Sequence, residues 1–301
     1  MLEKTVRRPR RGRITKKDIL AWILLLPSLF CFIIVLWQPL ISGVFLSFFE
    51  TQGYDAVRFV GMENYVSVIK NSEFMAALTN TFGYTFWSLL LGYLFPLIVA
   101  ILLNEMVHLK AFFKFSLYFP TMVPGMATAL LWYFIFDPGK GGVLNGILGL
   151  LGLPTSQWLQ NSRLTIPLIV LTMTWRAFGG TMLIYLANLQ SINQDVYEAA
   201  SMDGAGFFQK IWNITLPHLK GIMSLMLIMQ IISVFQIFQE PLAMTSGGPN
   251  NASMTLMLES YYYAFRYFNA GRSMAVGSIT FVILLVLTCV YQFAGKKSDE
   301  E

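Results

Sequence analysis

The sequence predicts an all-α integral membrane protein with six transmembrane helices and both termini in the cytoplasm. Of its 301 residues, 55% are hydrophobic and only 12% are charged, whereas soluble domains usually carry about 25% charged residues. Six apolar runs are long enough to cross a bilayer, which takes about 20 residues. Lysine and arginine are unequally distributed among the links between these runs, and this inequality predicts the orientation.

The first apolar run follows a strongly basic tail. Residues 1–18 contain eight lysines and arginines, and the run at 19–46 includes Pro27 and Pro39. A secretory signal peptide has an apolar region of about 7–15 residues followed by a small-residue cleavage site. Because this run is longer and shows no such site, we interpret 1–18 as a cytoplasmic tail and 19–46 as a retained transmembrane helix.

The rest of the chain divides into an external segment, a core and a short tail. Residues 47–80 form the external segment, which includes acidic residues and a predicted surface helix near 63–70. Residues 81–294 form the core, and 295–301 form a second cytoplasmic tail. The five apolar runs of the core cover 81–103, 112–136, 164–189, 219–244 and 273–293.

Positive charge orients these helices in the membrane. With the N-terminus inside, the inner segments hold fourteen lysines and arginines and the outer segments hold six, while Arg176 lies within a run. Cytoplasmic segments carry an excess of these residues, and six crossings return the C-terminus to the inside. The polar link at residues 193–217 therefore faces the cytoplasm.

This inner link is too polar and too rich in glycine to cross a bilayer. Its sequence EAASMDGAGFFQKIWNITLP predicts two short helices, at residues 198–200 and 207–213. Gly204 and Gly206 permit a bend between them, since glycine has no Cβ. The second helix is amphipathic, and such a pair is often only a connector that lies on the lipid surface. Its apolar face consists of Phe207, Phe208, Ile211 and Trp212.

The spacing of residues in the link nevertheless matches a known family. Glu198-Ala199-Ala200 is followed after three residues by Gly204, and after nine more by Ile214-x-Leu216-Pro217. This pattern resembles the cytoplasmic loop of ABC importer permeases. Weaker matches are Phe59-Val60-Gly61-x-x-Asn64-Tyr65, Gly142-x-x-Asn145 and Thr245-Ser246-Gly247-Gly248-Pro249. The chain resembles the larger-type permease subunit of maltose- and glycerol-phosphate-type carbohydrate importers, which have the type I ABC importer permease fold.

The resemblance implies a role for the link and a set of partners. In that family the loop is a coupling helix that docks in a groove of a separate ATPase. The partners implied are a second permease subunit, an ABC ATPase dimer that binds ATP and Mg, an extracellular or periplasmic substrate-binding protein and a carbohydrate. This chain would bind no cofactor and would lie in a bacterial or archaeal cell membrane. The implied ATPase-coupling residues are Glu198, Ala199, Ala200, Asp203, Gly204, Ala205 and Gly206.

The last outer link contains a turn at residues 246–250 followed by an aromatic cluster. Aromatic rings anchor membrane proteins at the interface, and they also suit a docking surface for an external partner; both interpretations stay open. The resemblance makes Gly247, Gly248 and Pro249 the candidate external docking residues. The aromatic residues are Tyr261, Tyr262, Tyr263, Phe265, Tyr267 and Phe268.

The sequence contains no combination of residues that predicts catalysis. The two histidines, His108 and His218, lie at inner helix ends, and there is no Gly-x-x-x-x-Gly-Lys phosphate loop. We therefore predict neither an enzyme nor a metal site, and no basic, aromatic surface indicates nucleic-acid binding. A secondary transporter or channel that acts alone is the alternative function, although this sequence shows no internal repeat of the kind that is typical of secondary transporters.

Arg176 is the one charge near the middle of a predicted span. Inserting such an arginine costs about 2.5–3.5 kcal/mol, so its side chain should face protein or water. It would either hold two helices together or meet a substrate hydroxyl, a carbonyl or an acid of the partner subunit.

The fifth run predicts a polar stripe suited to a sugar path. At about 100° per residue, Ser233, Gln236 and Glu240 fall within about 60° of one another, and Ile237 shares the stripe. Hydrogen bonding between helices would explain such a stripe equally simply. We expect Thr121, Gly125, Ser233 and Gln236 to line one cavity near the middle of the membrane, where Pro120 and Pro124 break the third helix.

The resemblance adds residues to this predicted path. Substrate-contacting residues of maltose-type permeases correspond here to Thr121, Gly125, Ala177, Ser233, Val234 and Ile237. Val234 and Ile237 are apolar where the maltose type is polar, which implies a different sugar or a weaker site.

Overall fold

The computed structural model describes residues 16–139 and 141–299, with side chains at 19–139 and 141–293. Most of the predicted basic tail therefore lies outside the described residues, and so does Lys140. The described chain is mostly helical, as predicted. One small antiparallel hairpin, of strands Phe49–Gln52 and Asp55–Phe59, departs from the all-α class.

Five helices in the described part of the chain are long and apolar enough to cross a membrane. We name them the first, second, fourth, fifth and sixth spans, in chain order. They are Ile19–Leu46, Ser72–Glu105, Ser162–Leu189, Phe207–Phe235 and Ala270–Phe293. The backbone of the last helix continues to Asp299, so much of the predicted C-terminal tail is helical.

The predicted third helix is a broken segment, residues 110–135, which we call the third segment. Helix Lys110–Tyr118 leads into the 3₁₀ turn Phe119–Met122, and helix Gly125–Ile135 follows. Proline lacks the N–H that continues a helix and disfavours helical angles in the residue before it. Val123, which precedes Pro124, is accordingly extended. The predicted break is present, and the third segment is not one continuous helix.

The fifth span begins earlier and ends earlier than its predicted range of 219–244. It starts at Phe207, passes through a π-helical turn at Ile211–Thr215 and ends at Phe235. The second short helix predicted in the inner link is therefore the beginning of this span. A new helix, Gln239–Thr245, begins after a break. Glu240 consequently does not share a helix with Ser233, contrary to the predicted stripe.

The second span begins at Ser72, ahead of the predicted end of the external segment at residue 80. The Asn71 side chain caps it by accepting a hydrogen bond from the backbone N–H of Glu73 at 3.0 Å. The predicted surface helix is present as Glu63–Lys70. Its Asn64 amide donates to the carbonyl groups of Ser47 and Phe49 at 2.9 and 2.8 Å, which fastens the hairpin to this helix.

Shorter elements connect the spans, and the core consists of three clusters between the spans. The short elements are helix Val143–Leu150, 3₁₀ turn Trp158–Gln160, and helix Leu256–Tyr261 with its π-helical turn Tyr262–Arg266. The innermost cluster includes Leu97, Met182 and Leu219 of the second, fourth and fifth spans. In contrast, the most apolar stretch of the first span is not buried at all.

Candidate functional site

The inner link contains one free-standing helix, Gln194–Met202, which we call the loop helix. Asn193 caps it: its side-chain oxygen accepts a hydrogen bond from the N–H of Asp195 at 3.1 Å. The carboxylate of Asp195 lies in the first turn, where negative charge is favourable beside the exposed N–H groups. These residues explain why the helix begins immediately after the short turn that follows the fourth span.

The loop helix ends in a Schellman motif at Gly204. The N–H of Gly204 donates to the Ser201 carbonyl at 3.1 Å, and the N–H of Ala205 donates to the Ala200 carbonyl at 2.9 Å. Gly204 has a φ of +79°, which side chains rarely adopt. Gly206 has a φ of −73°, so only one of the two predicted bend glycines uses this freedom.

The predicted coupling residues form an exposed surface of small and acidic side chains. Ala200 and Ala205 are half-buried, and the other five are exposed. Small side chains let another helix approach closely, because no bulky group stands between the backbones. The exposed five are Glu198, Ala199, Asp203, Gly204 and Gly206.

Hydrogen bonds tie the loop helix to the start of the fifth span. The hydroxyls of Tyr197 and Thr215 lie 2.8 Å apart, and the Lys210 ammonium donates to the Ser201 hydroxyl at 2.7 Å. Since Thr215 is buried, the first contact reaches into the helical bundle. A displacement of the loop helix would therefore be transmitted directly to the fifth span.

Arg176 pairs with an acid of its own chain. One guanidinium nitrogen lies 3.5 Å from a carboxylate oxygen of Glu240; the side chain of Glu240 is 6% exposed and that of Arg176 34% exposed. The Arg176 Nε is buried and has no hydrogen-bond partner. This contact corresponds to the interpretation in which Arg176 holds two helices together, here the fourth span and helix Gln239–Thr245.

The third segment meets Arg176 at its break. The Thr121 hydroxyl donates to the backbone carbonyl of Arg176 at 2.9 Å. A Cβ on Gly125 would collide with the side-chain oxygen of Gln239 and would lie 3.6 Å from the Arg176 Cζ. The structure thus brings together three predicted path residues, Thr121, Gly125 and Arg176, with Gln239 and Glu240.

The remaining predicted path residues divide into exposed and buried positions. Ala177, Ser233 and Gln236 are exposed in this single chain. Ile237 was expected to share their stripe, but its side chain is buried in the core together with that of Val234. The physical reason is the end of the helix at Phe235, after which the residues no longer follow the helical repeat.

The predicted external docking residues contact the chain segment that follows them, at Ser253 and Met254. Gly247 is buried with a φ of +87°, and a Cβ there would lie 2.8 Å from the Met254 Cε. Ser253 donates from its hydroxyl to the Gly248 carbonyl at 2.7 Å. Gly248 and Pro249 are half-buried, and the exposed residues of this turn are Ser246 and Asn250.

Comparison with known proteins identifies the family of this bundle. Residues 92–299 match the family described as "Binding-protein-dependent transport system inner membrane component". The chain belongs to this family. The matched region includes the loop helix, the break of the third segment and the Arg176–Glu240 pair.

Individual relatives of this transport component cover nearly the whole chain. The arabinooligosaccharides transport system permease protein of Bacillus subtilis is 32% identical, over 93% of this chain and 90% of the relative. The trehalose/maltose transport system permease protein of Thermococcus litoralis is 30% identical, over 92% and 94%. A bacterial transporter for the acidic polysaccharide alginate shares the fold, with a TM-score of 0.85, 24% identity and coverage of 94% and 96%.

The position of Gln239 and Glu240 beside Arg176 was not predicted from the sequence. Gln239 and Glu240 lie beside Arg176 only because a new helix starts at Gln239. Pro241 was the available signal, since proline is favoured in the first turn of a helix, where its missing N–H costs little. No group of three or more potential metal-ligating side chains occurs in the described part of the chain.

Proposed function

We propose that this chain is the membrane-spanning permease subunit of an ATP-driven carbohydrate importer. The observation that carries the proposal is the exposed loop helix, which presents Glu198 and Ala199 and ends at left-handed Gly204. Membership of the transport family supports it, and relatives named for arabinooligosaccharides and trehalose/maltose support a sugar as cargo. The protein would lie in the cell membrane, and ATP hydrolysis would belong to a separate subunit.

Six crossings with both termini in the cytoplasm suit this function best. The third segment packs against the middle of the fourth span: a Cβ at Gly179 would collide with the backbone near Leu117, and Trp132 packs edge-on against Trp175 at 5.9 Å. A segment that accompanies a membrane-crossing helix in this way has the length to cross as well. The loop helix then lies in the cytoplasm.

The partners follow from this arrangement. A second permease would complete the path, an ATPase dimer with ATP and Mg would receive the loop helix, and a substrate-binding protein would deliver the sugar outside. Arg176 Nε and the Thr128 hydroxyl are buried without hydrogen-bond partners, and both flank the break of the third segment. Unpartnered polar atoms of this kind favour a path for hydroxyl-rich cargo, because water or sugar hydroxyls would satisfy them.

Uptake by the reassembled transporter tests the proposal. The chain would be reconstituted with its partner permease, ATPases and binding protein, and Ala199→Asp compared with Ala199→Ser. We expect the aspartate to place an unpaired charge in the ATPase contact and to reduce sugar uptake at least tenfold, while serine leaves uptake near normal. Equal uptake by both variants would refute the coupling role.

The same uptake assay in liposomes distinguishes the alternative function, a secondary transporter or channel that acts alone. A secondary transporter or channel would move sugar into liposomes that contain this chain alone, without ATPase or ATP. We expect no such uptake, since the spans carry few ionisable residues to couple transport to protons.

A further inference from the structure

A cavity of about 580 Å³ lies between the loop helix and the inner ends of the spans. The end of the second span contributes Glu105, the loop helix contributes Tyr197 and the fifth span contributes buried Thr215. Small-molecule pockets usually measure about 300–1,000 Å³. The cavity is therefore large enough for a ligand, and neither the coupling surface nor the Arg176 site includes it.

Two ammonium groups line this cavity from different elements. Lys110 Nζ donates to the Asn104 carbonyl at 3.0 Å, and Lys210 Nζ donates to the Ser201 hydroxyl at 2.7 Å. Each ammonium carries three protons, so two on each stay available to an acceptor in the cavity. No carboxylate lies within ion-pair distance of either group in the described part of the chain. Glu105 is the one acid in the lining, which leaves an excess of one positive charge.

The rim of the cavity is apolar and exposed. Val107 is 86% exposed and Phe207 is 43% exposed, and both line the cavity. Next to Phe207, the side chains of Phe208 and Trp212 are also exposed. Aromatic side chains beside lysines are typical of the boundary between lipid headgroups and acyl chains. A soluble anion would require the lysines but not this apolar rim.

We propose that the cavity binds the phosphate of an anionic phospholipid, with phosphatidylglycerol as the simplest such lipid. The shared chemistry is a phosphodiester monoanion held between Lys110 and Lys210, with the acyl chains against Phe207 and its neighbours. Basic pockets between transmembrane helices on the cytoplasmic side bind lipid headgroups. The inference rests on the proposed function only for the cytoplasmic orientation of this cavity.

Such a lipid would act on the loop helix. The headgroup would bridge Lys110, which follows the second span, and Lys210, which is hydrogen-bonded to the loop helix through Ser201. The bridge would hold the loop helix in one position relative to the bundle. The structure thereby assigns an anionic lipid as a positioning ligand of the surface that is proposed to meet the ATPase.

Lipid titration of the purified full-length chain tests the site without requiring transport. Short-chain phosphatidylglycerol would be titrated into the chain in detergent, with occupancy followed by native mass spectrometry. One lysine near a phosphate contributes about 1 kcal/mol, so Lys110→Gln and Lys210→Gln should each weaken binding about fivefold. The double variant should weaken it about thirtyfold, and Glu105→Gln should strengthen it several-fold by removing a like charge.

The matched control is Lys114→Gln, which removes a lysine of the same helix that does not line the cavity. We expect its lipid affinity to equal that of the wild type. A loss equal to that of Lys110→Gln would show non-specific attraction and overturn the proposal. The thermal midpoint of each variant without added lipid checks that it is folded, and the Glu105→Gln gain cannot arise from unfolding.

Three further results would overturn the inference. Inorganic phosphate that competes at equal concentration would indicate a free-anion site, and phosphatidylethanolamine that binds equally well would indicate a zwitterion site that uses Glu105. Loss of the lipid when the ATPase is added would mean that the ATPase occupies the cavity. A chain that binds phosphatidylglycerol as expected but supports no sugar uptake would contradict only the proposed function.

Discussion

The carboxyl group of Glu259 is buried on the outer helix Leu256–Tyr261, and neither of its oxygens has a hydrogen-bond partner. Burial, together with the nearby negative charge of Glu73, raises the pKa of Glu259 from 4.5 to about 8. The group therefore stays protonated in the folded protein at pH values where an exposed glutamate is ionised. Holding that proton links the stability of the outer helices to pH.

Glu259→Gln should remove this pH dependence. A raised folded-state pKa stabilises the protein fully below pH 4.5, and the contribution is lost as the pH rises through about 8. One pKa unit corresponds to about 1.4 kcal/mol, so a few kcal/mol are involved. We expect the wild-type thermal midpoint to fall between pH 5 and 9 and that of Glu259→Gln to change little. The exposed acid variant Glu63→Gln should keep the wild-type slope; equal slopes in all three proteins would contradict the assignment.

The Arg176–Glu240 pair changes what is expected of an Arg176 variant. The sequence alone predicts that Arg176→Leu is expressed normally and loses transport, because leucine inserts into lipid easily. The structure adds a buried carboxylate that would lose its partner. Breaking a buried pair costs about 3–5 kcal/mol, and partial exposure of Arg176 puts the expected loss at the lower end.

A double variant separates the structural from the functional role of this pair. Arg176→Gln and Glu240→Gln should each lower the thermal midpoint, whereas the double variant should recover most of the loss because no charge is left unpaired. We expect sugar uptake by the double variant to stay at least tenfold low, since the proposed path includes Arg176. Recovery of both stability and uptake would leave the pair a purely structural contact.

Among the elements, the loop helix depends on the left-handed conformation of Gly204. Nothing lies within 4 Å of a Cβ added there, so backbone strain alone opposes substitution. A β-branched residue in this conformation costs about 1–3 kcal/mol, whereas asparagine tolerates it. We expect Gly204→Val to uncouple ATP hydrolysis from uptake and Gly204→Asn to retain most coupling. Both side chains would extend into open space, so identical losses would point to direct contact at this position rather than to the bend.

Breaks and ends of helices could be predicted from the sequence only where a proline or glycine lies at the break itself. Pro120 and Pro124 gave the break of the third segment, and Gly204 gave the end of the loop helix. The loop helix starts at Gln194, four residues before the predicted start at 198, because Asn193 caps it, a role that was not predicted. The end of the fifth span at Phe235 has no such residue within it, since Pro241 lies in the following helix. The burial of Ile237 and the pairing of Glu240 depend on that break. They could not follow from a stripe drawn on one continuous helix.

Across the whole molecule, apolar length predicted which segments are helical but not how they associate. The first span is as apolar as any other, yet its most apolar stretch has no buried residue, while 44% of the corresponding stretch in the fourth span is buried. A bilayer stabilises an apolar helix whether or not protein surrounds it, so hydrophobicity alone does not distinguish lipid-facing from protein-facing helices. Protein-facing positions are instead marked by polar and small residues that contact particular neighbours. Gly125 is an example, because the Gln239 side chain occupies the space that a Cβ would need.

The third segment decides the topology of everything that follows it. If residues 110–135 cross the membrane, the loop helix lies in the cytoplasm; if only the five long helices cross, it lies outside and the C-terminus with it. The positive-charge distribution favours six crossings, since fourteen of the lysines and arginines are then inside. The segment at 110–135 is also longer than the roughly 20 residues that a crossing takes. It contacts the fourth span at Arg176, and Phe136, just after its end, packs near Trp158, just before the fourth span.

Cysteine labelling in intact cells distinguishes the two topologies. In a background without Cys31 and Cys289, we would place single cysteines at Val57 on the outer hairpin and at Met202 on the loop helix, which are 63% and 90% exposed. We expect an impermeant thiol reagent to label Val57→Cys in intact cells and Met202→Cys only after the membrane is opened. Val57 precedes the third segment, so both topologies expose it outside and it reports that the reagent works. Labelling of Met202→Cys in intact cells would mean that the third segment does not cross, and the loop helix would then be unable to reach a cytoplasmic ATPase.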